Sequence, residues 1–198
     1  MDIIAYKNVF NREEFKHFTI EEYLTQPLMI LDSFGVYPDV ASRIKSTKDK
    51  HERNEIKRQN LPAVDLSSCG VLSIDIDEIF KNDHLKNEIV DKLSKLNTCF
   101  AIQETASGNI VALFRYECTV AEFPFLYYKL YLELTLLLSV SIDFLPDIGR
   151  LRYVSTGKLY HLNKDSETLC DVLKVEALPY INTKTNKEGV RKVIYGSR

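Results

Sequence analysis

Val71-Leu72-Ser73-Ile74-Asp75-Ile76-Asp77 alternates apolar and polar side chains and is rich in β-branched residues. A period of two predicts a strand with one face buried. Successive side chains in a strand point to opposite faces, so Ser73, Asp75 and Asp77 share one face. Ile74 and Ile76 take the other, toward helices. Two carboxylates side by side repel and raise each other's pKa unless a cation lies between them. Hard oxygen donors of this kind suit Mg²⁺ or Mn²⁺, ions that can assist phosphoryl transfer. The plainer alternative is that Asp77 sits at a strand end and caps the next helix.

Working outward, Asn82 or Asp83 caps a helix in which Leu85, Ile89, Leu93 and Leu96 recur at helical spacing. Residues 99–103 and 110–116 read as strands joined by a turn-rich link over 104–109. The most apolar stretch, 121–142, is interrupted by Lys129 and Glu133, which predicts a buried helix over 121–139 and not a membrane span. A strand over 151–155 comes after a loop holding Pro146 and Gly149. Upstream, residues 2–6 read as a strand, Thr19-Ile20-Glu21-Glu22 has capping-box spacing, and Pro27 ends or bends the element after that box. The order β-α-β-β-α-β predicts an α+β domain. Its centre would be a mostly antiparallel split-βαβ, RRM-like sheet packed on helices, with N-terminal helical and strand additions.

The 198 residues suffice for one large domain, and 45% hydrophobic with 27% charged residues excludes disorder over most of the length. A net charge of −2 means the protein as a whole is no polyanion binder, so any nucleic-acid surface must come from local segregation of charge. Residues 40–60 provide such a segment, with seven basic side chains against three acidic ones. A solvated face is one reading. A phosphate-contacting surface through Arg43, Lys45, Lys48, Lys57 and Arg58 is the other. Residues 171–198 carry six basic side chains against three acidic ones and form a basic appendage or a last strand with a loose tail. Cys69, Cys99, Cys118 and Cys170 lack zinc-ligand spacing and lie in or beside apolar runs, which predicts core thiols in a reducing cytosol. The N-terminus lacks the pattern of a signal peptide.

Asp143, in Ile142-Asp143-Phe144, supplies a third acid. Arg150 and Arg152 lie just beyond it, suited to a bidentate grip on phosphate or to surface ion pairs. Ser107-Gly108-Asn109 would offer backbone N–H groups to a phosphate or form a plain hairpin turn. No GxxxxGK[ST] loop is present, and His17, His51, His84 and His161 lie outside the candidate segments.

In this order the features resemble the VirE-type N-terminal domain family, a phage and mobile-element branch of the archaeo-eukaryotic primase-like superfamily. The matching stretches are Lys57-Arg58-Gln59-Asn60-Leu61-Pro62-Ala63-Val64, the Asp75/Asp77 strand, Thr105-Ala106-Ser107-Gly108-Asn109, and Ile142-Asp143 with Arg150-Leu151-Arg152-Tyr153 and Tyr160-His161-Leu162-Asn163. The resemblance spans about residues 1–165 and implies a primase-like catalytic domain there, with a basic extension over 166–198. It implies a primase-polymerase in which Asp75, Asp77 and Asp143 hold Mg²⁺ or Mn²⁺. Ser107 and Gly108 would take nucleotide phosphate, and Arg150 would support the site. Nucleoside triphosphates, single-stranded or template DNA and a replicative helicase would be its partners in a bacterial host's cytoplasm, with no membrane involved. One departure stands out. The superfamily places a His or Lys just after the turn, whereas here Asn109-Ile110-Val111-Ala112-Leu113-Phe114 precedes the first basic residue, Arg115. That departure favours an alternative in which the fold binds nucleic acid or a replication or virion partner without catalysis.

Overall fold

The computed structural model describes residues 2–25, 38–77, 79, 82–105, 107–155, 158–171, 181–185 and 189–193. The expected Pro27 break lies outside them. The protein is α+β, with ten strands β1–β10 and five α-helices α1–α5 among the described residues.

β4 (Val71–Ile76) conforms to its sequence pattern. Leu72, Ile74 and Ile76 are buried against helices, while Ser73 and Asp75 on the other face are half-buried. β4 pairs antiparallel with β6 (Ile110–Arg115), setting Asp75 opposite Val111. β6 pairs antiparallel with β5 (Cys99–Glu104), and β5 with β8 (Leu159–Leu162). β4 and β5 are therefore parallel, with β6 between them. α4 (Asp83–Ser94) connects them, its first turn capped by Asn82, whose side chain accepts from Leu85 N at 3.0 Å. α5 (Phe123–Leu138) packs beside α4 and buries Phe123, Leu126, Tyr127, Leu130, Leu134 and Leu138, one helical stripe. Its burial is one-sided, however, for Leu136 on the outer face is 82% exposed.

The main departure from the sequence reading is a second four-stranded sheet. β1 (Asp2–Tyr6) pairs with β2 (Phe15–Thr19) and with β3 (Ala63–Asp65), and β3 with β7 (Arg152–Tyr153). The strand expected over 151–155 thus belongs here and not to the sheet of β4. Ile3, Ala5, Val64 and Leu66 pack on Val71, Ala101, Val111 and Leu113, so the main sheet is covered by helices on one face and by this sheet on the other. Double coverage explains why β6 reads Ile-Val-Ala-Leu-Phe without alternation.

α1 (Ile20–Thr25) starts at the expected capping box: Thr19 Oγ1 accepts from Glu22 N at 3.1 Å, and Glu22 Oε2 accepts from Thr19 N at 2.8 Å. The charged segment forms α2 (Pro38–Ser46) and α3 (Lys50–Asn60), held by Val40, Ile44, Ile56 and Leu61 in a small core of their own. Beyond residue 165, Leu169 bridges Tyr116 in parallel, so this stretch docks on the end of β6. β9 (Ile181–Thr185) and β10 (Gly189–Val193) form a hairpin. The thiols are not all core groups: Cys99 is buried, but Cys170 is exposed. No helix among the described residues is long and apolar enough to cross a membrane.

Candidate functional site

Asp75 and Asp77 leave the end of β4 on the face turned away from α4 and α5. The chain after α5 returns beside them because Ile142 bridges Ile76 antiparallel. That pairing sets Asp143, the next residue, at the same sheet end. Asp75, Asp77 and Asp143 line one cleft together with Thr105, Ser107, Arg150, Arg152 and Tyr153. α3 forms the opposite wall with Lys50, Asn54 and Lys57, and Arg53 and Asn109 line the adjoining part, a hollow of about 390 Å³. That volume is within the range of ligand sites.

Each acid has a distinct environment. Asp75 meets Arg152 at 3.5 Å, an ion pair in which the guanidinium is only 7% exposed and the carboxylate 28%. Arg152 Nε and Nη1 are buried without a hydrogen-bond partner among the described residues. Asp77 is open to solvent yet walled by the cleft. Lost hydration, then the charges of Asp75 and Asp143, push its carboxyl above the ordinary aspartate value, against the pull of Lys57 and Asn109. On the far wall the Lys57 ammonium is pushed down by burial and by Arg53, while Asp77 and Asp75 hold it up. Like charges thus crowd on each wall and face their opposites across the gap.

Asn109 is buried and joins two segments. Its Nδ2 donates to Asp77 Oδ1 at 2.8 Å, and its Oδ1 accepts from Ile79 N at 3.3 Å. The side chain that stands where a basic residue was expected therefore orients the second acid. Gly108 closes the turn at φ 86°, its N–H donating to Thr105 O at 2.9 Å, so this amide is engaged within the turn. The Ser107 hydroxyl lies 3.1 Å from that of Thr105 on the cleft wall.

Of the basic residues expected to meet nucleic acid, only Lys57 lines the cleft. Arg43 and Lys45 are exposed on α2, Lys48 is exposed between α2 and α3, and Arg58 is exposed near Tyr153. Lys50, Arg53 and Asn54 were not singled out from the sequence. Their signal was there: with Lys57 they recur at i, i+3, i+4 and i+7, one face of a helix. Tyr23 was missed as well. It is fully buried near Arg152 and Asp75, and burial pushes its phenol up.

Three carboxylates suit a hard divalent cation by donor type, and the raised Asp77 carboxyl marks negative charge that such an ion would relieve. As the side chains stand, no group of three or more His, Cys, Asp or Glu among the described residues closes around a single point. Asp75 is turned to Arg152 and Asp77 to Asn109. No family model matches the chain, and no curated protein or solved structure is significantly similar to it.

Proposed function

We propose that the cleft is the nucleotidyl-transfer centre of a primase-like enzyme that extends a 3′-hydroxyl on a DNA template. One observation carries this reading. Asp75, Asp77 and Asp143 meet Arg150, Arg152 and Ser107 in one cleft, although the chain separates these residues by up to 77 positions. The placement of β6 between parallel β4 and β5, with Ile142 beside β4, supports an RRM-like palm.

Mg²⁺ or Mn²⁺ bound by the three acids would polarise the α-phosphate and stabilise charge on the attacking and leaving oxygens. Asp75, Asp77 and Asp143 supply the oxygen donors, and Asn109 holds Asp77 in orientation. Arg150 and Arg152 offset the charge of the triphosphate, and the Ser107 hydroxyl offers it a hydrogen bond. The 3′-hydroxyl gives up its proton to solvent as its oxygen forms a bond to the α-phosphorus, the bond from that phosphorus to the bridging oxygen breaks, and pyrophosphate leaves with its electron pair. Nucleoside triphosphates, single-stranded or template DNA and a replicative helicase are the partners this reading calls for. Its setting is phage or mobile-element replication in bacterial cytoplasm.

A second reading, a primase fold that binds nucleic acid or a replication or virion partner without chemistry, is favoured by one fact: Asp75 already has a counter-ion in Arg152. Primer synthesis on single-stranded DNA with labelled nucleotides and Mn²⁺ separates the two. The enzyme reading expects product in wild type and none in Asp75→Asn/Asp77→Asn. Absence of product in wild type, together with salt-dependent binding of single-stranded DNA, leaves the second reading.

A further inference from the structure

α3 carries only one buried apolar side chain, Ile56, and that residue docks it on Val40, Ile44 and Leu61. Asp49 caps the helix, its Oδ1 accepting from Glu52 N at 2.7 Å. With 100° between successive residues, this docking turns Lys50, Arg53, Asn54 and Lys57 into the cleft. Glu52 and Glu55 fall on the opposite side, too far round to neutralise them. None of Lys50, Arg53 and Lys57 forms an ion pair among the described residues. Lys50, Arg53 and Lys57 crowd on one helix face above the cleft, and the acids they face, Asp75, Asp77 and Asp143, stand across the gap without an ion-pair contact to them, so a polyanion carrying its own cation fits between the two walls.

A second, independent feature points the same way. Arg152, across the cleft, is more than nine-tenths buried and has two nitrogens without partners among the described residues. A buried guanidinium with a single long contact at 3.5 Å is under-satisfied. The turn of Ser107, Gly108 and Asn109 contributes no cation of its own.

We infer that the Lys50–Arg53–Lys57 face of α3 is a polyphosphate grip, which together with Arg152 holds the triphosphate chain of a nucleotide against the three acids. This deepens the proposed function and rests on it for the identity of the nucleotide. Charge balance favours a metal–triphosphate complex over a bare anion. Its cation faces Asp75, Asp77 and Asp143, and its phosphate oxygens face α3. The geometry favours a chain of phosphates over a single one. Lys50 and Lys57 are seven residues apart, about 10 Å along the helix axis, so the cations form a row and not a point. Asn54, between them, adds a neutral donor. In this assignment Lys57 serves the nucleotide and not the template backbone.

The test is titration of the full chain with inorganic tripolyphosphate, read by calorimetry and thermal shift, with Mn²⁺ and in EDTA. Orthophosphate and a single-stranded thymidine oligonucleotide are run alongside. Lys50→Ala/Arg53→Ala removes two cations, leaves Ile56 and the Lys57–Tyr153 packing intact, and should weaken tripolyphosphate binding by about tenfold per cation. Lys57→Gln should weaken it by a similar factor. Arg43→Ala/Lys45→Ala, on α2 outside the cleft, should leave it unchanged, and orthophosphate should bind far more weakly than tripolyphosphate. Unliganded melting temperatures identify any variant that has lost its fold. The inference is overturned if wild type fails to bind tripolyphosphate, or if the α3 variants bind it as wild type does. It is also overturned if they lose only the oligonucleotide, which would make α3 a template surface. Loss of tripolyphosphate binding in the α3 variants, alongside failed primer synthesis in wild type, would remove the enzyme reading and leave the grip standing.

Discussion

Replacing Asp77 with asparagine should make the metal-free protein more stable at neutral pH. Asp75 and Asp77 lie two residues apart on one strand face, about 7 Å at the strand rise. At that separation, repulsion between unit charges is roughly 0.6 kcal/mol in water and about 2.4 kcal/mol at an effective dielectric of 20. Asp77 is open to solvent, and Arg152 already offsets part of the Asp75 charge, so the lower half of that range applies. Asp143 adds to the repulsion. The expected gain is about 1 kcal/mol, a rise of roughly 2–4 °C in melting temperature for a protein of this size. Asparagine keeps an Oδ1 that can still accept from Asn109 Nδ2. Because the folded-state pKa of Asp77 is raised, the folded protein binds the proton more tightly than the unfolded chain. Stability therefore falls as pH rises from the unfolded value, near 3.8, through the folded one. The advantage of Asp77→Asn should be full above the folded pKa and vanish below the unfolded one. Urea and thermal melts in EDTA at pH 7.5 and pH 3.5 measure it. If the variant were equally or less stable than wild type at pH 7.5, the crowding of negative charge in the cleft would be refuted.

The neighbouring acid should behave in the opposite sense. Asp75→Asn removes the counter-charge of the buried Arg152 and should cost about 2 kcal/mol in urea melts at pH 7. Asn109→Ala gives up the bonds to Asp77 and Ile79 and should cost about 1–2 kcal/mol by the same measurement. Burial pushes the Cys69 thiol up to about 11 and the Cys99 thiol up to about 12, so both stay protonated near neutrality. Iodoacetamide at pH 8, with mass spectrometry as the readout, should label exposed Cys170 first. Equal labelling of Cys99 with and without urea would contradict its burial.

The legible parts of the fold were those with a local period. β4, α4 and the stripe of α5 come from alternation or from helical spacing, and the caps at Thr19 and Asn82 from side-chain chemistry. The second sheet was not legible as a sheet, since β3 has three residues and β7 two, too few to show a period. Its trace was indirect: the unbroken apolar run of β6 is what a strand covered on both faces requires. α5 misled in the other direction. An apolar composition predicts burial, but composition does not say how many neighbours a helix finds, and Leu136 stays on the solvent side. At the turn, Asn109 looked like a loss, because its value lies in a bond to Asp77, 32 residues away in the chain.

The alternation of residues 71–77 is enough to place Asp75 and Asp77 on one strand face, whereas Lys50, Arg53, Asn54 and Lys57, spaced i, i+3, i+4 and i+7, share a face only once α3 has formed. The first relation follows from a backbone period of two, while the second needs the helix itself, whose one buried apolar side chain, Ile56, packs on Val40, Ile44 and Leu61. That these two faces look at each other is a product of packing between distant elements. Asp143 reaches the acids through the Ile76–Ile142 bridge, Arg152 reaches Asp75 because β7 pairs with β3, and α3 is turned toward the cleft by the docking of Ile56. The two strand pairings are long-range and the docking of α3 joins neighbouring helices, but all are set by which apolar surfaces bury one another, and burial is a property of the assembled chain that no single segment carries.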